Sequence, residues 1–232
     1  MITPTGVTLA NYNASLLAGN ATHVRVVFPV QNVTLTDSDI SADGGIQINT
    51  TLNTETDLVI GKAIASEIII NLLNDGQFAG FDWTEEFHVD FGAEINGSTE
   101  WVTVGYFSGK KPERTVRTET IEFTAYDRML NFDVLADDFL SAITYPVTMQ
   151  TLFQNLCTYV GLSYAVGDEN STTMAKSYSE SPFISGLTCR QLLAWIAEAN
   201  ACNAVINSAG AVVLKWYTNH TSDYSLDGDH YF

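Results

Sequence analysis

Residues 121–130, IEFTAYDRML, mark a change of register in this chain, from alternating strand chemistry to helical chemistry. Roughly a hundred residues of short strands and turns precede that point, and two amphipathic helices and a hairpin follow it. A β-rich body followed by a small α+β module is therefore the expected α+β architecture, with a barrel or sandwich as its first part.

The strand signals before the junction are local and regular. THVRVVFPV (22–30) reads as a strand with Pro29 at its end, and TDSDISADGG (36–45) is turn chemistry. Residues 46–52 and 66–73 follow, the second (SEIIINLL) apolar enough to be covered on both faces. Residues 86–95 and 100–107 flank Asn96-Gly97, the strongest short hairpin signal. Alternation over 100–107 places Trp101, Thr103 and Gly105 on one face and Val102, Val104 and Tyr106 on the other. TVRTETIEFT (115–124) sets Ile121 and Phe123 together. An early helix over 7–18, with Leu9, Leu16 and Leu17 as its apolar residues, ends at Gly19-Asn20.

After the junction the period becomes helical. A turn is expected over 125–131. Apolar residues at Met149, Leu152, Phe153, Leu156, Cys157 and Val160 then trace one helix face that stops at Gly161. Thr188 and Gln191 form a capping box for a second helix with Leu192, Leu193, Ile196 and Ala199 buried and Trp195 beside them. CNAVIN and AVVLKWY around Ser208-Ala209-Gly210 make a terminal hairpin. Tyr126 and Asp127 form the structural junction, a strand-closing tyrosine followed by a polar helix cap.

Charge excludes some functions. With 10 basic and 27 acidic residues the net charge is −17, which argues against tight nucleic-acid binding. Four of the basic residues, Lys110, Lys111, Arg114 and Arg117, crowd into one presumed hairpin tip and are the candidate docking point for an acidic neighbouring subunit. The cysteines (Cys157, Cys189, Cys202) lack metal or redox spacing and read as small buried hydrophobes. Glu85-Glu86 and Asp137-Asp138 are adjacent, so they do not face each other across a substrate. The four histidines are scattered, and neither a nucleophile elbow nor a phosphate loop is present. No catalytic residue, metal ligand or cofactor is assigned. The N-terminus has no secretion signal, which implies synthesis in the cytoplasm.

In order along the chain, LLAGNATHVRVVF (16–28), TLTDSDI (34–40), NLLNDG (71–76), VTVGYFSGKKPERT (102–115), IEFTAYDRML (121–130), YPVTMQTLFQNLCTYVGL (145–162) and GLTCRQLLAWIAEANACNAVINSAGAVVLKWY (186–217) together resemble the N-terminal region of phage and prophage tail-tip or baseplate hub proteins. The resemblance implies a tail-tube-like β-barrel over 1–139, a small α+β insert over 140–218 and the start of a returning strand over 219–232. It also implies a homotrimer around a DNA channel, in contact with neighbouring tail proteins and carried in the virion tail. Relatives continue beyond this point, so the natural chain is expected to continue as well. The competing expectation is a cell-surface carbohydrate-binding module in which Trp83, Trp101 or Trp216 stacks on sugar rings; a hydrolase with a scattered acidic pair is the third.

Overall fold

The computed structural model describes residues 9–49, 59–74, 78, 80–109, 112, 119–181 and 185–216. The chain opens with helix α1 (Leu9–Leu17), followed by strands β1 (Thr22–Phe28), β2 (Val33–Thr36), β3 (Ile46–Asn49), β4 (Glu67–Leu73), β5 (Glu86–Ile95), β6 (Ser98–Gly109) and β7 (Thr120–Asp127). These strands form one antiparallel sheet of seven in the order β2-β1-β5-β6-β7-β4-β3. The Asn96-Gly97 turn sits where expected, with both residues at positive φ (53° and 80°), which matches the twist of the β5–β6 hairpin.

The sheet is strongly curled, and simple reach shows why it must be. β2 and β4 are five strand spacings apart, about 24 Å if the sheet were flat. Three residues after the end of β2, however, the Asp39 carbonyl accepts a hydrogen bond from Leu73 N–H of β4 at 2.8 Å. Three residues span at most about 11 Å. Ser41 N–H donates to Asn71 O, and Ile40 bridges Leu72, so the β2–β3 connection runs along β4. Even so, β2 and β3 remain the sheet's edges. The expected α+β architecture is present, its β-rich part a curled antiparallel sheet of seven strands that does not close into a barrel among the described residues.

One face of the sheet is packed with rings. Phe28, Phe87, Phe107 and Phe123 point inward from the strands, and Phe78, Phe81 and Trp83 fold over them from the β4–β5 connection. Trp83 lies 4.9 Å from Phe123 and Phe28 lies 4.8 Å from Phe87, distances at which aromatic pairs attract beyond simple burial. Ile68, Ile70 and Leu72 complete this core. Beyond it, Tyr12 of α1 packs on Ala93, Ile95 and Val102. Leu16 and Leu17, two of the apolar residues of that helix, are exposed. Ser15 faces the sheet, its hydroxyl donating to the Glu94 carbonyl.

A β-bulge corrects the face assignment on β6. Val89 pairs with Gly105 but Asp90 pairs with Thr103, so Val104 is an extra residue and the alternation reverses there. Gly105 and Phe107 consequently share the face of Val102, while Tyr106 joins Trp101 and Thr103. The strand-to-helix change also falls later than the pattern implies. Tyr126 and Asp127 stay in β7, Tyr126 paired with Glu67 of β4 and Ser108 of β6 and Asp127 with Phe107 of β6, and a 3-10 turn begins only at Arg128 (Arg128–Phe132). Pairing on two sides outweighs the local helical signal.

The second core contains α2 (Asp137–Ala142), β8 (Val147–Thr148), α3 (Met149–Tyr159), α4 (Ser171–Met174), β9 (Ser177–Tyr178), α5 (Cys189–Ala199) and the hairpin β10 (Asn203–Ile206) with β11 (Val212–Lys215). The Thr148 cap, the Gly161 stop and the Thr188–Gln191 capping box are all present. On α5, Ala197 takes the buried position expected for Ala199, which is exposed. The core begins at Met129, ahead of residue 140, and takes in Ala63 from the segment before β4. That segment lies parallel to β10: Ala63 bridges Ala204, and Lys62 O accepts from Ala204 N–H. Cys157, Cys189 and Cys202 are fully buried, and burial pushes the Cys157 thiol up to about 12, so it remains protonated and inert. Residues 219–232, expected to start a returning strand, lie outside the described residues.

Leu156 lies at the centre of this second core with no exposure. Replacing it with aspartate would bury a carboxylate among aliphatic side chains, and we expect a loss of about 3 kcal/mol of stability. Chemical denaturation measures this directly; an unchanged midpoint would show that α3 does not face the core.

Candidate interaction surface

The face of the sheet opposite the aromatic core carries a continuous polar stripe. On β1 it contains His23 and Arg25, on β5 Glu86, His88, Asp90 and Glu94, and on β6 Trp101 and Tyr106. Strand alternation brings them to one side, and the bulge at Val104 is what adds Tyr106 to the row.

Asp90 is the buried member, 2% exposed. Its Oδ2 accepts from Arg25 Nε at 2.8 Å and lies 3.5 Å from His88 Nε2. Its Oδ1 has no hydrogen-bond partner among the described residues. The Arg25 guanidinium also sits 4.2 Å above the Trp101 ring, so one cation is held by a carboxylate and a ring face together. At one end of the stripe, His23 Nδ1 is 2.8 Å from Asp37 Oδ2, and its Nε2 is 3.6 Å from Glu94. The hydrogen bond that His23 Nδ1–H donates to Asp37 raises the His23 pKa above its ordinary value, against partial desolvation that lowers it.

At the other end, Arg128 ties the sheet to the second core. Its Nε and Nη2 reach the two oxygens of Glu86 at 2.7 and 2.6 Å, a bidentate fork, and its guanidinium lies 4.4 Å from the Tyr106 ring. Nη1 donates to the Gly210 carbonyl at 3.3 Å in the β10–β11 turn. Only a glycine fits there: a Cβ on Gly210, whose φ is +76°, would come within van der Waals overlap of that guanidinium.

Chemically this stripe ties groups together and leaves little free to react. Arg25, Arg128, Arg190 and Lys215 each pair with a carboxylate of the same chain. Of the adjacent acid pairs, Glu86 holds Arg128 and Glu85 accepts from the Val30 and Gln31 N–H groups, while Asp137 accepts from Gly186 N–H. Among the described residues no group of three or more histidine, cysteine or acidic side chains is placed to hold a metal ion.

The junction residues are brought together at the start of β4. The Asp127 carboxylate accepts from Ser66 N–H and Met129 N–H, each at 2.9 Å, and the Tyr126 hydroxyl donates to Glu67 at 2.9 Å. Burial pushes the Asp127 carboxyl up, while those two N–H groups hold it down. The basic cluster Lys110, Lys111, Arg114 and Arg117 lies outside the described residues. Of the tryptophans expected to stack on sugar, Trp83 is 2% exposed inside the aromatic core and Trp101 is covered by Arg25; Trp216 is exposed. The stripe itself escaped notice in the sequence, although His23/Arg25 and His88/Asp90, each two apart in a strand, were its signal.

This arrangement, a curled antiparallel sheet followed by a compact α+β module, is shared in its fold with solved tail proteins. The chain is similar to the 43 kDa tail protein of prophage MuSo2 from Shewanella oneidensis, with TM-score 0.53, 17% identity and 84% of this chain and 55% of that one covered. A tail protein from Neisseria meningitidis MC58 gives TM-score 0.54 at 12% identity over 84% of this chain and 50% of that one. Prophage tail protein gp18 from Listeria monocytogenes EGD-e gives 0.50 at 13% identity over 83% and 50%. The chain thus spans about half the length of these solved tail proteins. No protein-family model and no curated protein matches the sequence.

The His23 contacts make a pH prediction. A raised histidine pKa means that its contribution to stability is complete below the unfolded value, about 6.5, and is lost as pH rises through the higher folded value. In an NMR titration, Asp37→Asn should bring the His23 midpoint down toward the ordinary value. An unmoved midpoint would remove Asp37 as the cause.

Proposed function

We propose that this chain is a structural subunit of a phage or prophage tail tip or baseplate hub and not an enzyme. In this reading three copies surround the DNA channel, each contributing its curled sheet as part of a tail-tube-like barrel. The observation that carries the reading is the shared fold: 84% of this chain matches the tail protein of prophage MuSo2 with a TM-score of 0.53. A net charge of −17 supports a channel-side role, because an acidic wall lets a polyanion slide past without adhering. Among the described residues β2 and β3 are the edges of the sheet, which supports association with further copies, since unpaired strand edges are otherwise aggregation sites.

The basic cluster at Lys110, Lys111, Arg114 and Arg117 is proposed to dock an acidic neighbouring tail protein, and the chain resides in the virion tail. Among the described residues no helix is long and apolar enough to cross a membrane. The carbohydrate-binding alternative loses support from the covered positions of Trp83 and Trp101.

Immunogold labelling of intact particles against this chain should mark the distal end of the tail, and cross-linking of purified tails should give a ladder that ends at three copies. Labelling along the shaft or at the capsid would overturn the tail-tip assignment. Reversing Lys110, Lys111 and Arg114 to glutamate should leave the melting temperature unchanged while sharply reducing incorporation into tails. Normal incorporation of that triple variant would remove the docking role alone.

A further inference from the structure

On the second module, α3 and α5 leave an apolar groove of about 380 Å³ open to solvent. Met149 and Leu152 form its floor from α3, Trp195 stands on the α5 side, and Tyr145 and Tyr178 flank it. Trp195 is 41% exposed and Tyr178 40%, although both belong to the large amphipathic ring types that anchor protein interfaces. Methionine in the floor lets such a groove adapt to the shape of its occupant. Tyr145 adds a second, independent sign. Tyr145 lines the groove, and its hydroxyl is buried with no hydrogen-bond partner among the described residues. A buried hydroxyl without a partner is an unfilled donor, suited to a carbonyl brought in by another chain.

Charge decides what that chain is. Glu180 is the charged residue among those lining the groove, and it sits on the rim. Arg25, Arg128, Arg190 and Lys215 are already paired with carboxylates of the same chain, so the molecule presents a strongly acidic exterior. With 27 acidic against 10 basic residues in the chain and a glutamate at the groove, a cationic segment is the occupant favoured by charge.

We propose that the α3–α5 groove docks a segment of a different protein that presents one or two large apolar side chains flanked by lysine or arginine. The apolar side chains seat against Trp195, Met149 and Leu152, a backbone carbonyl of the segment accepts from the Tyr145 hydroxyl, and the basic flank meets Glu180. The groove lies on the second module and none of its lining residues belongs to the sheet's edge strands, so it can fail without affecting the tail-tip assignment.

The test uses the full chain and two synthetic amphipathic peptides with the same leucine face, one carrying lysine on its polar face and the other glutamate. Calorimetric titration should show binding of the lysine peptide and none of the glutamate peptide. Trp195→Ala, an exposed position, should weaken lysine-peptide binding at least tenfold. Glu180→Lys should weaken it severalfold, and Trp101→Ala, on the sheet, should leave it unchanged. Circular dichroism of each variant confirms that the fold is retained. Absence of lysine-peptide binding, equal binding of both peptides, or indifference to Trp195→Ala would overturn the proposal. So would self-association of the chain that Trp195→Ala abolishes, because the occupant would then be a second copy.

Discussion

The buried carboxylate of Asp127 is where the two halves of this molecule depend on one another. It is the last residue of β7, and it accepts from the N–H groups of Ser66 and Met129 while its own N–H donates to the Ser66 carbonyl. One side chain therefore fixes the approach to β4, the end of β7 and the first turn of the second core. Burying a carboxylate is costly unless donors meet its oxygens, and here a backbone donor meets each of them. The next residue, Arg128, reaches across the sheet to Glu86 and Tyr106 and back to Gly210. Capping and clasping by successive residues set the angle between the sheet and the helical module, with no linker between them.

The two cores are filled by different means. The concave side of the curled sheet is closed by seven aromatic rings, which fill a wide space with few side chains and keep specific edge-on and tilted contacts. The second core is mostly aliphatic and sulfur-bearing, with Met129, Met149 and Met174 and all three cysteines among its members. Rings hold a curved surface open, while flexible and small residues let short helices and hairpins settle against one another. The charged stripe on the outer face works differently again, by pairing groups across three strands.

Much of this was legible from local pattern, and the failures have physical causes. The helix faces of α3 and α5, their caps, and the Asn96-Gly97 hairpin depend on neighbours in sequence, so periodicity and turn chemistry found them. The position of Gly105 was misassigned because a bulge is set by the partner strand and leaves no mark in local alternation. Asp127 caps the turn as its residue type implied, but the turn starts at Arg128 and not at residue 125, because strand pairing holds Tyr126 in β7. Leu16 and Leu17 are exposed because the sheet meets α1 through Tyr12 and Ser15, a choice made by tertiary contact. The Arg25–Asp90 pair joins residues 65 positions apart, and no pattern in either strand named the partner.

The parallel contact between residues 59–65 and β10 bears on how such proteins can change over time. The helical module is assembled from two stretches of chain, one lying before β4 and the other after β7. A recombination event that exchanged only the later stretch would bring in a hairpin whose outer edge no longer met its matching strand. Lineages can therefore trade this module intact only if the short upstream piece travels with it, which ties the ancestry of the helical half to that of the sheet in between.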